Sequence, residues 1–162
     1  MNKKLIPTGG NDIVMTPPSL AKAVIDRFNP IGVTLEPCRG GGAFYDQFPN
    51  AKDWCEITQG RDFFEYNQRV EWIITNPPFG LMRKFLMHSM EISEHIVFLC
   101  PINHIIGLKA RLRDIKGAGF YIREIAQINT PKEFPQSGFQ WAANYLNKEK
   151  GNIKVTKLNY GQ

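Results

Sequence analysis

Cysteine is scarce in this chain of 162 residues, and long apolar runs are missing. Cys38, Cys55 and Cys100 are odd in number and far apart, which argues against a disulfide framework and fits a reducing compartment. The longest apolar stretches, such as residues 95–101, are far too short to span a bilayer. The amino terminus has two lysines but no apolar run after them, so no signal peptide is expected. These observations predict a cytoplasmic protein without a membrane segment.

Histidine is also rare, and its spacing does not suggest a metal centre. His88, His95 and His104 have no neighbouring cysteine or carboxylate at the spacing of a ligand set. We expect all three to be structural or surface residues, and no metal to be bound. The sequence also lacks a repeat of fixed period and a low-complexity linker. A single domain over residues 1–162 is therefore expected.

Charge of both signs is present, but it is unevenly distributed. Residues 1–100 hold 10 Lys/Arg and 11 Asp/Glu, whereas residues 101–162 hold 10 Lys/Arg and 4 Asp/Glu. The second part thus carries the positive field, which favours a polyanionic partner such as nucleic acid. A solvated lysine surface that only maintains solubility is the alternative. Charge alone does not choose between the two.

Apolar spacing predicts strands that alternate with helices through the first two-thirds of the chain. Helices are expected over residues 16–28, 79–92 and 105–119. The strands are expected to end at Glu36, near Glu56, at Asn76 and at Pro101, followed by a strand pair over 120–128 and 139–146 and a last strand over 153–158. This order predicts a Rossmann-like α/β fold, with a mostly parallel sheet, helices on both faces and an antiparallel pair near the carboxyl terminus.

Polar residues stand at the ends of the first three predicted strands. Because ligands bind beyond the carboxyl ends of the strands in such sheets, Glu36, Glu56 and Asn76 should meet in one crevice. Gly40, Gly41 and Gly42 follow the first strand directly, where glycine permits a positive φ and a close approach to a ligand. Their spacing is not that of a dinucleotide motif, and a plain turn is the alternative. Glu56 lies 20 residues after Glu36, as does the acid that accepts ribose hydroxyls in nucleoside-binding sheets.

The third predicted strand ends abruptly in Asn76, Pro77, Pro78 and Phe79. Asn-Pro and Pro-Pro are common in loops, so ordinary strand termination is one interpretation. The other is a stiff turn that presents an amide and an aromatic ring to a ligand. The rest of the motif set decides between them, since a four-residue motif recurs by chance.

Taken together, "LEPCRGGGAF" and "NPPF" resemble the class I methyltransferases that use S-adenosylmethionine, and in particular those that modify N6 of adenine in DNA. "TPPSLAKAVID" resembles the segment that covers the methionine part of the cofactor in one ordering class of that family, and "GRDFFEY" resembles its adenine-binding loop. The resemblance covers roughly residues 14–147. Its specific positions occur in the family order and are Thr16 to Pro18, Glu36, Pro37, Gly40, Gly42, Glu56, Asp62, Phe63 and Asn76 to Phe79.

The resemblance implies a cofactor-binding role for the positions before Asn76, except Pro18. Thr16 and Pro17 would cover the site, and Gly40 and Gly42 would form the turn under the amino-acid end of S-adenosylmethionine. Glu36, followed by Pro37, would lie beside the methionine ammonium. Glu56 would accept the ribose hydroxyls. Asp62 would accept from the adenine amino group, while Phe63 would pack on the adenine ring.

The resemblance also implies how the Asn-Pro-Pro-Phe turn works. The side-chain oxygen of Asn76 and the carbonyl of Pro77 would each accept one N–H of an exocyclic amine and so direct its lone pair at the methyl group. Pro77 and Pro78 would keep these acceptors in place, and Phe79 would stack on the base. A base must leave a duplex, or come from a single strand, to reach such a site.

The second face of the base needs an aromatic partner, which we expect from residues 129–140. Phe134 and Phe139 are the candidates, with Trp141 behind them, and Phe134 is preferred because a loop position can reach outward. In the alternative, Phe139 and Trp141 both face the core from one strand, while Phe134 only packs the loop.

The expected activity is therefore transfer of a methyl group from S-adenosylmethionine to N6 of adenine in DNA, by a catalytic domain without a separate target-recognition domain. Methyltransferases that act on RNA bases and on protein glutamine amides carry a similar turn, since all of these substrates present a planar NH₂. An RNA base methyltransferase and a catalytically idle nucleic-acid binder of the same fold remain the alternatives. DNA is favoured over RNA, and the oligomeric state is left open.

Overall fold

The computed structural model describes residues 14–161, which form one seven-stranded sheet with four α-helices. The strands are β1 Thr34–Glu36, β2 Lys52–Trp54, β3 Val70–Thr75, β4 Ser93–Pro101, β5 Tyr121–Ile128, β6 Trp141–Asn147 and β7 Lys154–Leu158. The helices are α1 Pro18–Phe28, α2 Met82–Ile92, α3 Asn103–Ile106 and α4 Lys109–Gly117.

The sheet has the strand order β2-β1-β3-β4-β6-β5-β7. All neighbouring pairs are parallel except those of β6, which runs antiparallel to both β4 and β5. The expected α/β fold, with a mostly parallel sheet and an antiparallel pair near the carboxyl terminus, is confirmed. The carboxyl ends of β1 to β4 lie at the same edge of the sheet. Because β6 runs in the opposite direction, Trp141 at its beginning also lies at that edge, opposite Pro101.

Two apolar layers cover the two faces of the sheet. Successive residues of β3 point to opposite faces, so that Ile73 packs in one layer and Ile74 in the other, both fully buried. The first layer includes α2 and α4 through Leu86 and Ile115. The second includes α1 through Val24. Both faces of the sheet therefore have helices, as expected.

The helix that was expected over residues 105–119 is wrong in its extent, because the segment forms two helices, α3 and α4. The break lies at Gly107. A Cβ on this residue would lie 2.5 Å from the carbonyl oxygen of Asn103, so the close turn between the two helices requires glycine. The helix was predicted as continuous because apolar spacing persists across this turn.

An ion pair between Arg27, whose side chain is 40% exposed, and the buried Glu124 attaches α1 to the carboxyl-terminal part of the sheet. Arg27 donates through Nε and Nη2 to one carboxylate oxygen of Glu124, at 2.8 and 2.6 Å. The hydroxyl of Thr156 donates to the same oxygen at 2.7 Å. Glu124 is buried, so its charge needs these three donors. The cluster joins α1, β5 and β7.

We expect Glu124→Ala to lower the free energy of unfolding by about 1–3 kcal/mol, since it removes charge-assisted hydrogen bonds at a buried position. The measurement is urea denaturation. Asp26→Ala is the control, because its ion pair with Lys22 is exposed on α1, and it should cost less than about 1 kcal/mol. Equal effects of the two substitutions would contradict the structural role of Glu124.

Candidate active site

The polar residues at the strand ends meet at the carboxyl edge, as the sequence predicts. The Thr75 hydroxyl at the end of β3 donates to Oε1 of Glu36 at the end of β1, at 3.0 Å. Glu56, two residues after β2, accepts from the backbone N–H of Gly40 at 2.8 Å. Asn76 directly follows Thr75. This edge of the sheet therefore carries two carboxylates, a glycine turn and the Asn-Pro-Pro-Phe turn.

The glycine turn needs glycine at two of its three positions. Gly40 and Gly42 have φ values of +51° and +86°, a region that other residues rarely adopt. A Cβ on Gly42 would also lie 2.9 Å from a carboxylate oxygen of Asp46. Gly41 has no positive φ, and only the flexible end of the Met15 side chain lies against it.

Glu56 shapes the glycine turn as well as facing the crevice. One carboxylate oxygen accepts from Gly40, and the other accepts from the backbone N–H and the hydroxyl of Thr58, at 3.1 and 2.8 Å. The side chain is half-buried. A carboxylate has about four acceptor sites, so Glu56 keeps capacity for one further donor.

Glu36 is almost completely buried beneath the turn. Its second oxygen accepts from the backbone N–H of Tyr45 at 3.1 Å, while the first accepts from Thr75. Burial raises the pKa of the carboxyl well above its ordinary value, and the hydrogen bonds from Thr75 and Tyr45 and the nearby Arg39 offset this only in part. Glu36 thus connects β1, β3 and the segment after the glycine turn. The expected contact of Glu36 with an ammonium group stays a prediction. Pro37 is also buried, and its expected role in cofactor binding stays a prediction as well.

Asn76 is held from two sides. Its backbone carbonyl accepts from the thiol of Cys38 at 3.1 Å. Its side-chain NH₂ donates to the carbonyl oxygen of Val14 and to the hydroxyl of Thr16, both at 3.3 Å. The sequence does not reveal the role of Cys38, because a thiol contact between two loops has no local pattern. Burial and the neighbouring Glu36 raise the pKa of this thiol, so it stays protonated and can donate.

Pro77 and Pro78 are buried, and Phe79 begins a short 3-10 turn before α2. The ring of Phe79 is half-buried between two other rings. His104 stacks on it at a centroid distance of 4.8 Å and 26°, and Trp141 contacts it at 5.4 Å. Burial, and to a lesser extent Arg111, lowers the pKa of His104, which keeps the imidazole neutral at neutral pH. The sequence does not predict the contact between Phe79 and His104, because apolar spacing indicates one helix over residues 105–119 and leaves His104 outside it.

The preference for Phe134 as a base-stacking residue is wrong. Its ring is 2% exposed and packs on Trp141 at 4.4 Å, within the apolar layer under α1. A side chain in a loop can face inward when it packs against a large buried ring, and Phe134 packs against Trp141 in this way. Phe139 is 54% exposed and precedes β6, so it does not face the core from that strand. The base-stacking role of Phe139 stays a prediction.

The loop that the sequence predicts to bind adenine follows β2 and contains a 3-10 turn, Phe63–Glu65. Asp62 caps a 3-10 turn by accepting from the backbone N–H of Phe64 at 3.0 Å. Phe63 is 3% exposed and packs against Phe85 and His88 at 5.0 and 4.7 Å. A ring in this position has no face for a cofactor, which contradicts the expected role of Phe63. The role of Asp62 stays a prediction.

A pocket of about 550 Å³ lies beside the glycine turn. Its size falls within the range of cofactor sites. Met15 to Pro18 form one wall, and Gly41 to Ala43 with Asp46 and Gln47 form the other. The expected position of Thr16 and Pro17 over a cofactor site is compatible with this arrangement. Among residues 14–161, no group of His, Cys, Asp and Glu is placed to hold a metal ion, and no helix could cross a membrane.

No family model and no curated protein matches the sequence. Several solved structures are similar to it. The M protein of the type I restriction enzyme EcoKI has a TM-score of 0.66 at 14% identity, over 84% of this chain and 44% of that one. A candidate RNA methyltransferase from Pyrococcus horikoshii has a TM-score of 0.62 at 17% identity, over 85% and 87%. A candidate class I S-adenosylmethionine-dependent methyltransferase from Listeria monocytogenes has a TM-score of 0.61 at 13% identity, over 93% and 67%.

These likenesses define the fold. The chain has the fold of the class I S-adenosylmethionine-dependent methyltransferases, and it spans less than half of the length of the EcoKI M protein. Because one fold supports many activities, the site residues themselves must support any function.

Replacing Phe134 should reduce stability rather than ligand binding. Phe134→Ala should lower the free energy of unfolding by about 3–5 kcal/mol, since it leaves a cavity beside Trp141. Phe139→Ala is the matched control and should cost less than about 1 kcal/mol, because its ring is exposed. Chemical denaturation of both variants is the measurement. Similar values for the two would contradict the buried position of Phe134.

Glu36→Gln should change how stability depends on pH. A carboxyl with a raised pKa keeps its proton in the folded chain after the unfolded chain has lost it, so stability falls as the pH rises above the ordinary value of 4.5. The glutamine amide can still bond to Tyr45 and Thr75 but has no proton to lose. Urea denaturation at pH 5 and pH 8 should therefore show a smaller decline for Glu36→Gln than for the parent. Parallel curves would show that Glu36 is already ionised when buried.

Proposed function

We propose that this protein transfers a methyl group from S-adenosylmethionine to the exocyclic N6 amine of adenine in DNA. The observation that carries the proposal is the fixed side chain of Asn76. Its amide nitrogen is engaged by Val14 and Thr16, which leaves its oxygen as the end of the amide that can accept from a substrate. This acceptor stands at the edge of the sheet that also carries the glycine turn.

The site fits the proposed cofactor. S-adenosylmethionine supplies a methyl group on a positively charged sulfonium, which makes the methyl carbon electrophilic. Glu56 has a free acceptor site for a ribose hydroxyl next to Gly40, and Asp62 lies on the following loop. The pocket between Thr16 and Gly42 provides space for the amino-acid part. These positions follow the order that the sequence resemblance implies.

The Asn-Pro-Pro-Phe turn would activate the amine. An aromatic amine is a weak nucleophile because its lone pair is delocalised into the ring. If Asn76 and the carbonyl of Pro77 each accept one N–H, the nitrogen becomes more tetrahedral and its lone pair is less delocalised into the ring. The lone pair would then form the new N–C bond as the methyl–sulfur bond breaks, with a neutral thioether as the leaving group, and the excess proton of the amine would pass to solvent. The bond from Cys38 and the two rigid prolines hold these acceptors before substrate arrives, so little reorganisation is needed.

A base that stacks on Phe79 must share or replace its present neighbours. His104 covers one face of the ring, and Trp141 contacts it from another direction. Stacking on the face under His104 requires that the imidazole move aside.

The positive surface of α4 supports a nucleic-acid substrate. Lys109, Arg113 and Lys116 are exposed and can contact phosphates. Arg111, on the same helix, is buried and donates to the backbone carbonyl of His104. It is therefore part of the support for His104 rather than a phosphate contact.

RNA is the second candidate substrate. The Pyrococcus horikoshii structure is matched over 85% of this chain and 87% of its own, whereas the EcoKI M protein is matched over only 44% of its length. The deciding experiment incubates the protein with labelled S-adenosylmethionine and with DNA or RNA in parallel, followed by mass spectrometry of the nucleosides. N6-methyladenine from DNA supports the proposal. A methylated base from RNA alone supports the second candidate, and cofactor binding without any methylation indicates an idle binder.

Asn76→Ala should separate chemistry from binding. Loss of this acceptor should lower turnover by about 10²-fold, because the bond strengthens as the nitrogen changes geometry. Cofactor affinity should change little. Single-turnover rates and calorimetry measure the two effects. Asn152→Ala, an exposed asparagine between β6 and β7, is the control, and a parent-like rate for Asn76→Ala would overturn the mechanism.

A further inference from the structure

The amide of Asn76 is tied to a segment 60 residues earlier in the chain. Thr16 Oγ1 and the carbonyl oxygen of Val14 both accept from its nitrogen at 3.3 Å. The sequence resemblance implies only one role for Thr16, which is to cover a cofactor. The structure gives it a second contact, with the residue expected to activate the substrate.

The carbonyl oxygen of Val14 decides which end of the amide faces the substrate, and the Thr16 hydroxyl adds a second bond that restrains the amide in that orientation. A carbonyl oxygen only accepts, so a rotation of the amide by 180° would place the Asn76 oxygen against the Val14 oxygen. That orientation loses one hydrogen bond and adds a repulsion. The observed orientation leaves the oxygen of Asn76 pointing away from the segment, where an amine can donate to it.

The same segment also covers the glycine turn. The end of the Met15 side chain lies only 2.6 Å from where a Cβ on Gly41 would be. Pro17 immediately precedes α1. Met15 and Pro17 both line the pocket beside the glycine turn. One stretch of four residues, Val14 to Pro17, therefore contacts both the pocket and the amide.

The geometry points to Thr16 as a positioning residue for Asn76, in addition to its expected place over the cofactor. This inference rests on the proposed function only in that the oriented amide serves methyl transfer. Because the segment Val14 to Pro17 lines the proposed cofactor pocket and also bonds to the Asn76 amide, it links the conformation of the pocket wall to the orientation of the Asn76 oxygen. Its effect should appear in turnover more than in the affinity for cofactor.

The test compares Thr16→Val, which keeps the shape and removes the acceptor, with Thr16→Ser, which keeps the hydroxyl. Thr16→Val should lower kcat about five- to tenfold with a cofactor Kd within about twofold of the parent, and Thr16→Ser should recover most of the loss. In an Asn76→Ala background, Thr16→Val should cause no further loss. Tyr121→Phe, which removes a hydroxyl at the beginning of β5, at the opposite edge of the sheet, is the control and should leave kcat unchanged.

A second readout does not depend on activity. The side-chain NH₂ signals of Asn76, assigned in NMR spectra by their absence in Asn76→Ala, should exchange with solvent at least severalfold faster in Thr16→Val and not in Tyr121→Phe. Unchanged exchange would overturn the inference, whatever the substrate is. A loss of cofactor affinity that accounts for the whole loss of activity would also overturn it. If the parent methylates no nucleic acid but the exchange result holds, the proposed function fails while the contact between Thr16 and Asn76 stands.

Discussion

The hydrogen bond between Thr75 and the buried carboxyl of Glu36 is the contact on which the carboxyl edge depends. It joins the ends of β1 and β3, and the other oxygen of Glu36 holds the backbone at Tyr45, beyond the glycine turn. The thiol of Cys38 contacts Thr75 from the same side at 3.0 Å and reaches the carbonyl of Asn76. A polar group this deeply buried is tolerated only when its partners are in place. The conformation of both turns is thereby linked to one carboxyl.

Much of this edge could be predicted from the sequence, because its determinants are local. Strand ends follow from apolar runs that stop at a glycine or a proline, and Gly40 and Gly42 identify a turn that only glycine can adopt. The rule that parallel strands present their carboxyl ends together then brings Glu36, Glu56 and Asn76 to one place. These steps need no knowledge of which side chains touch.

The parts that could not be predicted depend on contacts between distant segments. Phe134 looks like a loop residue that is free to reach outward, and only the position of Trp141 shows that it is buried. Phe63 stands beside a predicted ligand-binding aspartate, yet its ring completes a cluster with Phe85. For the same reason, the sequence does not predict that His104 and Thr16 contact the Asn-Pro-Pro-Phe turn. Aromatic side chains in loops are ambiguous in sequence, since burial and ligand contact favour the same residue types.

The reversed direction of β6 has a consequence for the sheet as a whole. β6 separates β4 from β5, so the β4–β6 ladder is the hydrogen-bonded junction between the strands β2-β1-β3-β4 and the strands β6-β5-β7. The pair Pro101 with Trp141 ends this ladder at the carboxyl edge, where the Trp141 ring contacts Phe79. A shift between the two groups of strands would therefore displace Trp141 against Phe79 in the candidate site. The ion pair between Arg27 and Glu124 connects the two halves across the opposite end of the molecule and limits how far they can separate.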